Sequence, residues 1–259
     1  MSLSFPKSSN IYMVNVGSNG SHIFCSPLFP DGRFEFLPIP EDRELSKYQS
    51  TRYKDLKSYY NANSYLTQFI PKQMLERTAH NDPEFNTFTY GDNCDINSRA
   101  AGLKSVKIGD YIVFIVRLCL WINGKFTSKY GFYLIGFLEI EEILPSVTNR
   151  PNKTVLEKFA KNAHVLRGQN DDALWDSFWI FKGSEKSQRF EKAVPITKGI
   201  ASQVFRQADG RHWKWPDSRS DLQIIGSYTR SCRRIIEAND SEEHERATSL
   251  STWISKHYQ

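Results

Sequence analysis

The chain is short of the features that announce the commonest chemistries. It has four cysteines, Cys25, Cys94, Cys119 and Cys232, and none stands in a CxxC pair or at zinc-finger spacing from a histidine. Free thiols are therefore expected rather than a disulfide framework. No apolar run reaches the roughly 18 residues a membrane-crossing helix needs. Residues 1–10 lack the apolar centre of a secretion signal, so the expected compartment is the cytoplasm, with no membrane partner. GxSxG, HExxH, the protein-kinase set, and the Walker and dinucleotide glycine spacings are all missing. So are internal repeats and low-complexity linkers.

What is present fits an ordinary folded chain. At 259 residues, a single domain over 1–259 can bury a substantial core without staples. The net charge of +5 permits nucleic-acid binding without requiring it. Aromatics reach 14%, and rings that do not fill a core are available to stack on a ligand.

Periodicity gives the coarse layout. Residues 11–16 read as a buried strand closed by Gly17. Asp31-Gly32 marks a hairpin turn, and the prolines at 27, 30, 38 and 40 place its arms at an edge. Pro71 opens a short helix, and residues 80–95 read as a long functional connection. Residues 106–121 and 130–142 are apolar strands on either side of Asn123-Gly124. They predict a long central hairpin after a turn at Gly109-Asp110. Helices are expected over 151–163, capped by Thr154, over 198–207 and over 227–238, with a final amphipathic turn or two in the tail. A further strand is expected over 175–182. The fold class is α+β: a mixed, mainly antiparallel sheet flanked by helices.

Four stretches could carry chemistry. Residues 15–22 form a Gly-rich turn after a strand, whose N–H groups can cradle phosphate; a plain tight turn is the alternative, and His22 has no visible partner as a base. Residues 80–92 gather His80, Asp82, Glu84 and Asp92, residue types that hold metals or move protons. No known ligand spacing is met, so no metal set is assigned, and a solvated loop with Asx turns is the alternative. Phe88 and Tyr90 within it suit a base pocket, with Tyr90 and Asp92 the leading single residues.

Trp121, Tyr130, Tyr133, Trp175 and Trp179 could sandwich a base at about 1–3 kcal/mol per stack, or simply pack a core. Last, residues 206–234 hold Arg206, Arg211, Lys214, Arg219, Arg230, Arg233 and Arg234, interleaved with Trp213, Trp215 and Tyr228. On a helix, Arg230 shares a face with Arg233 or Arg234, which suits phosphate tracking; a solvated face balanced by the acidic residues 240–245 is the alternative.

Several blocks in order along the chain resemble the nucleotide modification associated domain 3 family, described in terms of DNA base hypermodification. They are Val14-Asn-Val-Gly-Ser18, Ser26 through Glu41, Asp82-Pro-Glu-Phe-Asn-Thr-Phe-Thr-Tyr-Gly-Asp92, Lys107 through Phe114, Tyr133-Leu-Ile-Gly-Phe137, Ala163-His164 with Arg167, Lys182-Gly-Ser184, and Gly226 through Arg234. The resemblance implies a place in base-modification systems of phages and bacteria. It also implies that Asn15, His22, Thr89, Tyr90, Asp92, Arg117, His164, Arg167, Ser227 and Arg230 border one site. The Ile-Gly-Asp-Tyr-Ile-Val-Phe and Tyr-Leu-Ile-Gly-Phe-Leu-Glu-Ile strands are further similar to the β-core of PUA-like modules, so the sheet is expected to curl into a partly open barrel.

The leading functional expectation is a module that binds a modified or flipped base, or a nucleotide, in an aromatic and polar pocket. In it Asn15, Thr89, Tyr90, Arg117, Trp121, Tyr133, Arg167 and Ser227 contact the base or nucleotide, and Arg230, Arg233, Arg234 and Lys214 hold phosphates. The first alternative is a transferase-like enzyme acting on a base, with Asp92, His22 and His164 as acid–base groups in one cleft. The second is a protein-interaction module. Partners are nucleic acid, above all DNA, or a nucleotide, together with other components of a base-modification system. No cofactor is assigned.

Overall fold

The computed structural model describes residues 3–18, 23–45, 51–206, 211 and 232–258. Among these lie ten strands: β1 (Ile11–Asn15), β2 (Ser26–Leu28), β3 (Ile39–Pro40), β4 (Ala79–His80), β5 (Thr89–Asp92), β6 (Tyr111–Ile122), β7 (Lys125–Val147), β8 (Phe178–Gly183), β9 (Gln188–Pro195) and β10 (Arg233–Ile236). Four helices accompany them: α1 (Lys153–Lys158), α2 (Ala163–Asn170), α3 (Lys198–Val204) and α4 (Ser241–His257).

The β6–β7 hairpin is the spine. Asn123 and Gly124 both adopt positive φ, 50° and 76°, as the type I′ turn requires. From that turn the strands pair from Ile122↔Lys125 to Tyr111↔Glu139. β1 and β2 lie in succession along the other edge of β6, both parallel to it, from Ile11↔Tyr111 and from Ser26↔Leu118. The chain between them leaves the sheet at Gly17, whose φ of +72° bends it away. β7 is long enough to serve two neighbours, β9 against its middle and β8 against its end. The eight-stranded order runs β10-β1-β6-β7-β8-β5, with β2 on β6 and β9 on β7. The expected α+β class with a mixed, mainly antiparallel sheet is present. Among the described residues the sheet ends at β10 and β5 without closing into a barrel.

Alternation along the strands separates two cores. Ile11, Met13, Tyr111, Val113 and Ile115 face one side, where Ile200 and Val204 of α3 and Leu250 and Ile254 of α4 cover them. Tyr12, Val14, Ile112, Phe114 and Val116 face the other side, packed under Tyr90, Cys94, Ala100 and Leu103. Thus helices close one face and irregular segments close the other.

Several expectations are corrected. The helix over 227–238 is in its described part a strand, β10: Ile235 and Ile236 are buried on the free edge of β1, and this pairing outweighs the local helical pattern. Arg233 and Arg234 thus stand on a strand rather than a helix, and Arg230, expected to share a helical face with one of them, lies outside the described residues. The connection over 80–95 contains a strand, β5, held by β8 through Tyr90↔Phe181. The helix over 151–163 is only the six-residue α1, capped not by Thr154 but by Asn152, which accepts from the Val155 N–H, and α2 beyond it had no prior expectation. The tail is not a turn or two but the 17-residue α4. Strand β9 had no prior expectation. Finally, Cys25 and Cys119 are disulfide-bonded, whereas Cys94 and Cys232 are free. The parallel register Pro27↔Cys119 brings the two thiols together across 94 residues, a juxtaposition with no local sequence signature.

Candidate functional site

The loop-covered face opens into a cleft of about 440 Å³ between the end of β1, the β3–β4 ladder, β5, α2 and the start of β10. Its floor is built by short-range register. The β3–β4 pair sets Ile39 opposite His80, so Glu41 lies beside the His80 ring, with Glu41 Oε1 2.7 Å from His80 Nδ1. Facing a carboxylate, Nδ1 carries the proton and Nε2 is left as an acceptor. Two residues on, Asp82 is buried, and its Oδ2 accepts a hydrogen bond of 2.8 Å from the Gly91 N–H of β5. Glu84, the other acid of this stretch, faces away. Its carboxylate accepts from the N–H groups of Asn86 and Thr87 and from the Thr87 hydroxyl, which fixes the turn before β5.

β5 contributes the middle wall. The Tyr90 hydroxyl donates to Asp92 Oδ2 at 2.8 Å, and the Asn93 N–H donates to Asp92 Oδ1 at 2.8 Å. Between them Gly91 leaves room for a ring: a Cβ there would lie 2.4 Å from His164 Cδ2. The glycine is thus required by close approach. His164 arrives at the start of α2, whose cap Asn162 accepts from the His164 N–H and donates Nδ2 to Thr89 Oγ1 at 3.3 Å. This buried amide ties α2 to β5. One turn later, Arg167 reaches Glu41 Oε2 at 3.5 Å and Asp176 Oδ2 at 3.8 Å. Asp176 in turn accepts from Asn93 Nδ2 at 2.7 Å. Arg167 therefore bridges two carboxylates.

Three side chains converge deeper in. His80 Nε2 and His164 Nε2 lie 3.9 Å and 3.7 Å from the same oxygen, Asp82 Oδ2. The two rings meet edge to face with centroids 4.9 Å apart. His80, Asp82 and His164 each offer one donor atom, all within 4.8 Å of one another. Asp82 Oδ1 and His164 Nδ1 are buried with no hydrogen-bond partner.

Burial sets the protonation preferences. It pushes the Asp82 carboxyl well above the usual carboxylate range, with the nearby acids Asp92, Glu84 and Glu41 adding to the shift against the opposing Gly91 N–H. Burial likewise holds His164 well below the usual imidazole value, helped by the neighbouring His80 and Arg167. Asp92 is raised by burial despite the hydrogen bonds from Tyr90 and Asn93. The Tyr90 hydroxyl and the Cys232 thiol, which lies 3.9 Å from Asp92 Oδ2, are raised by burial and by the Asp92 charge.

The cleft brings together Asn15, Tyr90, Asp92, His164 and Arg167 of the sequence-derived set. Thr89 sits immediately behind the wall, buried, through its bond to Asn162. Other members stand apart. Arg117 lies over the Tyr130 ring, 4.0 Å from its centroid, on the far part of β6. Trp121 packs edge-on against Phe69 and Phe126. Tyr133 is a core residue whose hydroxyl burial pushes up to about 12. Arg233 and Arg234 extend from β10, Arg234 paired with the exposed Glu237. Trp175 packs on Phe178, and Trp179 donates to Asp95 Oδ2. His22, Lys214, Trp213, Trp215, Ser227, Tyr228 and Arg230 lie outside the described residues. Glu41, Arg99, Asn97 and Cys232 line the cleft without having been singled out as site residues; Glu41 and Cys232 stood only inside blocks quoted for the family resemblance. Nothing in their local sequence marks them.

The family model described as nucleotide modification associated domain 3 matches residues 10–251. The chain belongs to this family. No curated protein and no solved structure matches it. The family match begins just before β1 and ends within α4, so it spans every segment that supplies the cleft of this nucleotide modification associated domain. Among the described residues, no helix is long and apolar enough to cross a membrane.

Proposed function

We propose that the cleft is a binding site for a nucleobase or nucleotide, and that the protein serves a DNA base modification system by holding a modified or flipped base there. The observation that carries this reading is the convergence of Asn15, Tyr90, Asp92, His164 and Arg167, from three separate stretches of chain, on one polar hollow of about 440 Å³. That volume suits a single nucleotide. The lining also suits a base edge better than a phosphate, because Glu41, Asp42, Asp82 and Asp92 outnumber Arg99 and Arg167. Carboxylates accept from the exocyclic amino groups of cytosine or adenine. Phosphate contacts, in this reading, fall to the basic residues around 206–234, including Lys214, Arg230, Arg233 and Arg234.

The test is titration of nucleoside monophosphates and short single- and double-stranded DNA, with and without a modified base, followed by calorimetry at low and moderate salt. Affinity for DNA is expected to fall steeply with salt. Asp92→Asn and Arg167→Gln are expected to weaken binding of the mononucleotide. Absence of any binding at low salt overturns the proposal.

An enzyme that itself modifies the base is the second reading, favoured by one observation: Asp82 Oδ1 and His164 Nδ1 are buried beside the cleft without protein partners. It requires that Asp92→Asn abolish turnover while sparing binding, the opposite pattern. A protein-interaction module without a ligand is the weaker third reading, since the cleft wall is polar rather than apolar.

A further inference from the structure

We infer that His80, Asp82 and His164 form a binding site for a divalent first-row transition-metal ion at the base of the cleft. The inference rests on the reading of the cleft as a ligand site but depends on different atoms, those of the buried cluster rather than those of the rim.

Three independent features point to a cation. The first is the donor set. Two imidazoles and one carboxylate present one atom each within 4.8 Å, and both Nε2 atoms approach a single Asp82 oxygen, at 3.7 and 3.9 Å. Donors sharing an ion sit roughly 3–4 Å apart, given metal–ligand bonds of about 2.0–2.2 Å. Only a small closing movement separates the observed positions from ligation. The second is orientation. A metal-binding histidine characteristically gives its other ring N–H to a carboxylate, which fixes the tautomer. His80 does this with Glu41 at 2.7 Å, and Glu41 is held on its other oxygen by Arg167 at 3.5 Å. The third is Asp82 Oδ1, the second oxygen of the same carboxylate, buried without a partner on a side chain only 2% exposed. Buried carboxylate oxygens are ordinarily satisfied by protein, water or an ion.

The same features narrow the ion. Two imidazoles with one carboxylate suit iron(II), manganese(II), cobalt(II) or zinc(II), while calcium and magnesium prefer an all-oxygen shell. Three protein ligands on one side leave the remaining positions toward the cleft, as in sites where a metal meets a substrate rather than closing a fold. Glu41 is then a positioning residue, acting through His80.

The experiment uses the full chain, stripped with a chelator and titrated with cobalt(II) alone, then with zinc(II) as competitor. Uptake is read by calorimetry and by the visible absorption of bound cobalt. One ion per chain is expected. His80→Gln and Asp82→Asn should weaken binding at least tenfold, and Glu41→Gln should weaken it about 10- to 100-fold with the cobalt spectrum retained at saturation. Because Asp82 is deeply buried, thermal unfolding of each variant is measured alongside, and the partly exposed His80 supplies the variant that keeps the fold. Absence of stoichiometric uptake by the wild-type chain, or uptake unchanged in His80→Gln, overturns the site. Mononucleotide titration of the stripped chain separates the two ideas. Binding there without cobalt uptake sinks the metal site and leaves the base-binding reading standing. Cobalt uptake without binding of any nucleotide or DNA does the reverse.

Discussion

The two faces of the central sheet solve the same problem with opposite materials. On one face α3 and α4 lay down Ile200, Val204, Leu250 and Ile254 as a continuous apolar cover. On the other, irregular segments around the β3–β4 ladder and β5 do the covering, and they leave a hollow into which polar groups from distant parts of the chain project. The buried charge on the helical face is fully engaged: Arg246 of α4 donates to the Val204 and Ile235 carbonyls and pairs with Glu243. At the hollow short elements converge instead: β4 and the residues after it bring His80 and Asp82, β5 brings Tyr90 and Asp92, and α2 brings His164, with Asp82 Oδ1 and His164 Nδ1 left without partners. One face is a closed apolar layer, and the other holds the polar cleft.

The largest expected effect falls on the helical face. Leu250→Ala should destabilise the protein by about 2–5 kcal/mol in urea unfolding, from lost burial plus the cavity left behind. Ligand affinity at the cleft should stay as it was; a parallel loss would show that the two faces do not act separately. Next comes Gly91→Ala. The new methyl cannot coexist with the His164 ring, so a cost of about 1–3 kcal/mol is expected with loss of binding in the cleft. Unaltered binding by a folded variant would mean that the His164 ring position is irrelevant to the ligand. Asn162→Ala removes the α2 cap and the tie to Thr89, for about 1–2 kcal/mol in thermal or urea unfolding, with a partial loss of affinity as His164 and Arg167 shift together. Smallest of all, Arg234→Ala breaks only an exposed pair with Glu237 and should change stability by no more than about 0.5 kcal/mol. Any measurable fall in DNA affinity in that variant would assign Arg234 to phosphate contact, which its place on β10 leaves open to solvent.

How far the sequence could be read differs between the two faces for the same reason. The hairpin was legible because Asn123-Gly124 and the apolar runs beside it act locally: turn chemistry and period-2 alternation need no distant partner. β10 was misread because Arg-Arg-Ile-Ile has no decisive local signal, and only the free edge of β1 makes it a strand. β5 reads in sequence as part of a connection because Thr89–Asp92 is polar and short, and its extended form is maintained by β8. Within the site, Tyr90, Asp92 and His164 stood out by residue type and by resemblance. Glu41 and Cys232, though inside matching blocks, carry no mark of their own, for their places follow from long-range approaches of 2.7 Å to His80 and 3.9 Å to Asp92.

By itself, then, the order of residues determined the elements whose causes are local: the central β6–β7 hairpin, the turn at Gly109, the glycine exit after β1, and the family to which the chain belongs. Only the tertiary structure decided which acid meets which base. Asp82 and His164 are separated by 82 positions, and Cys25 and Cys119 by 94. Their meetings depend on strand register and on the packing of α2 against Gly91, long-range contacts whose formation no window of neighbouring residues encodes.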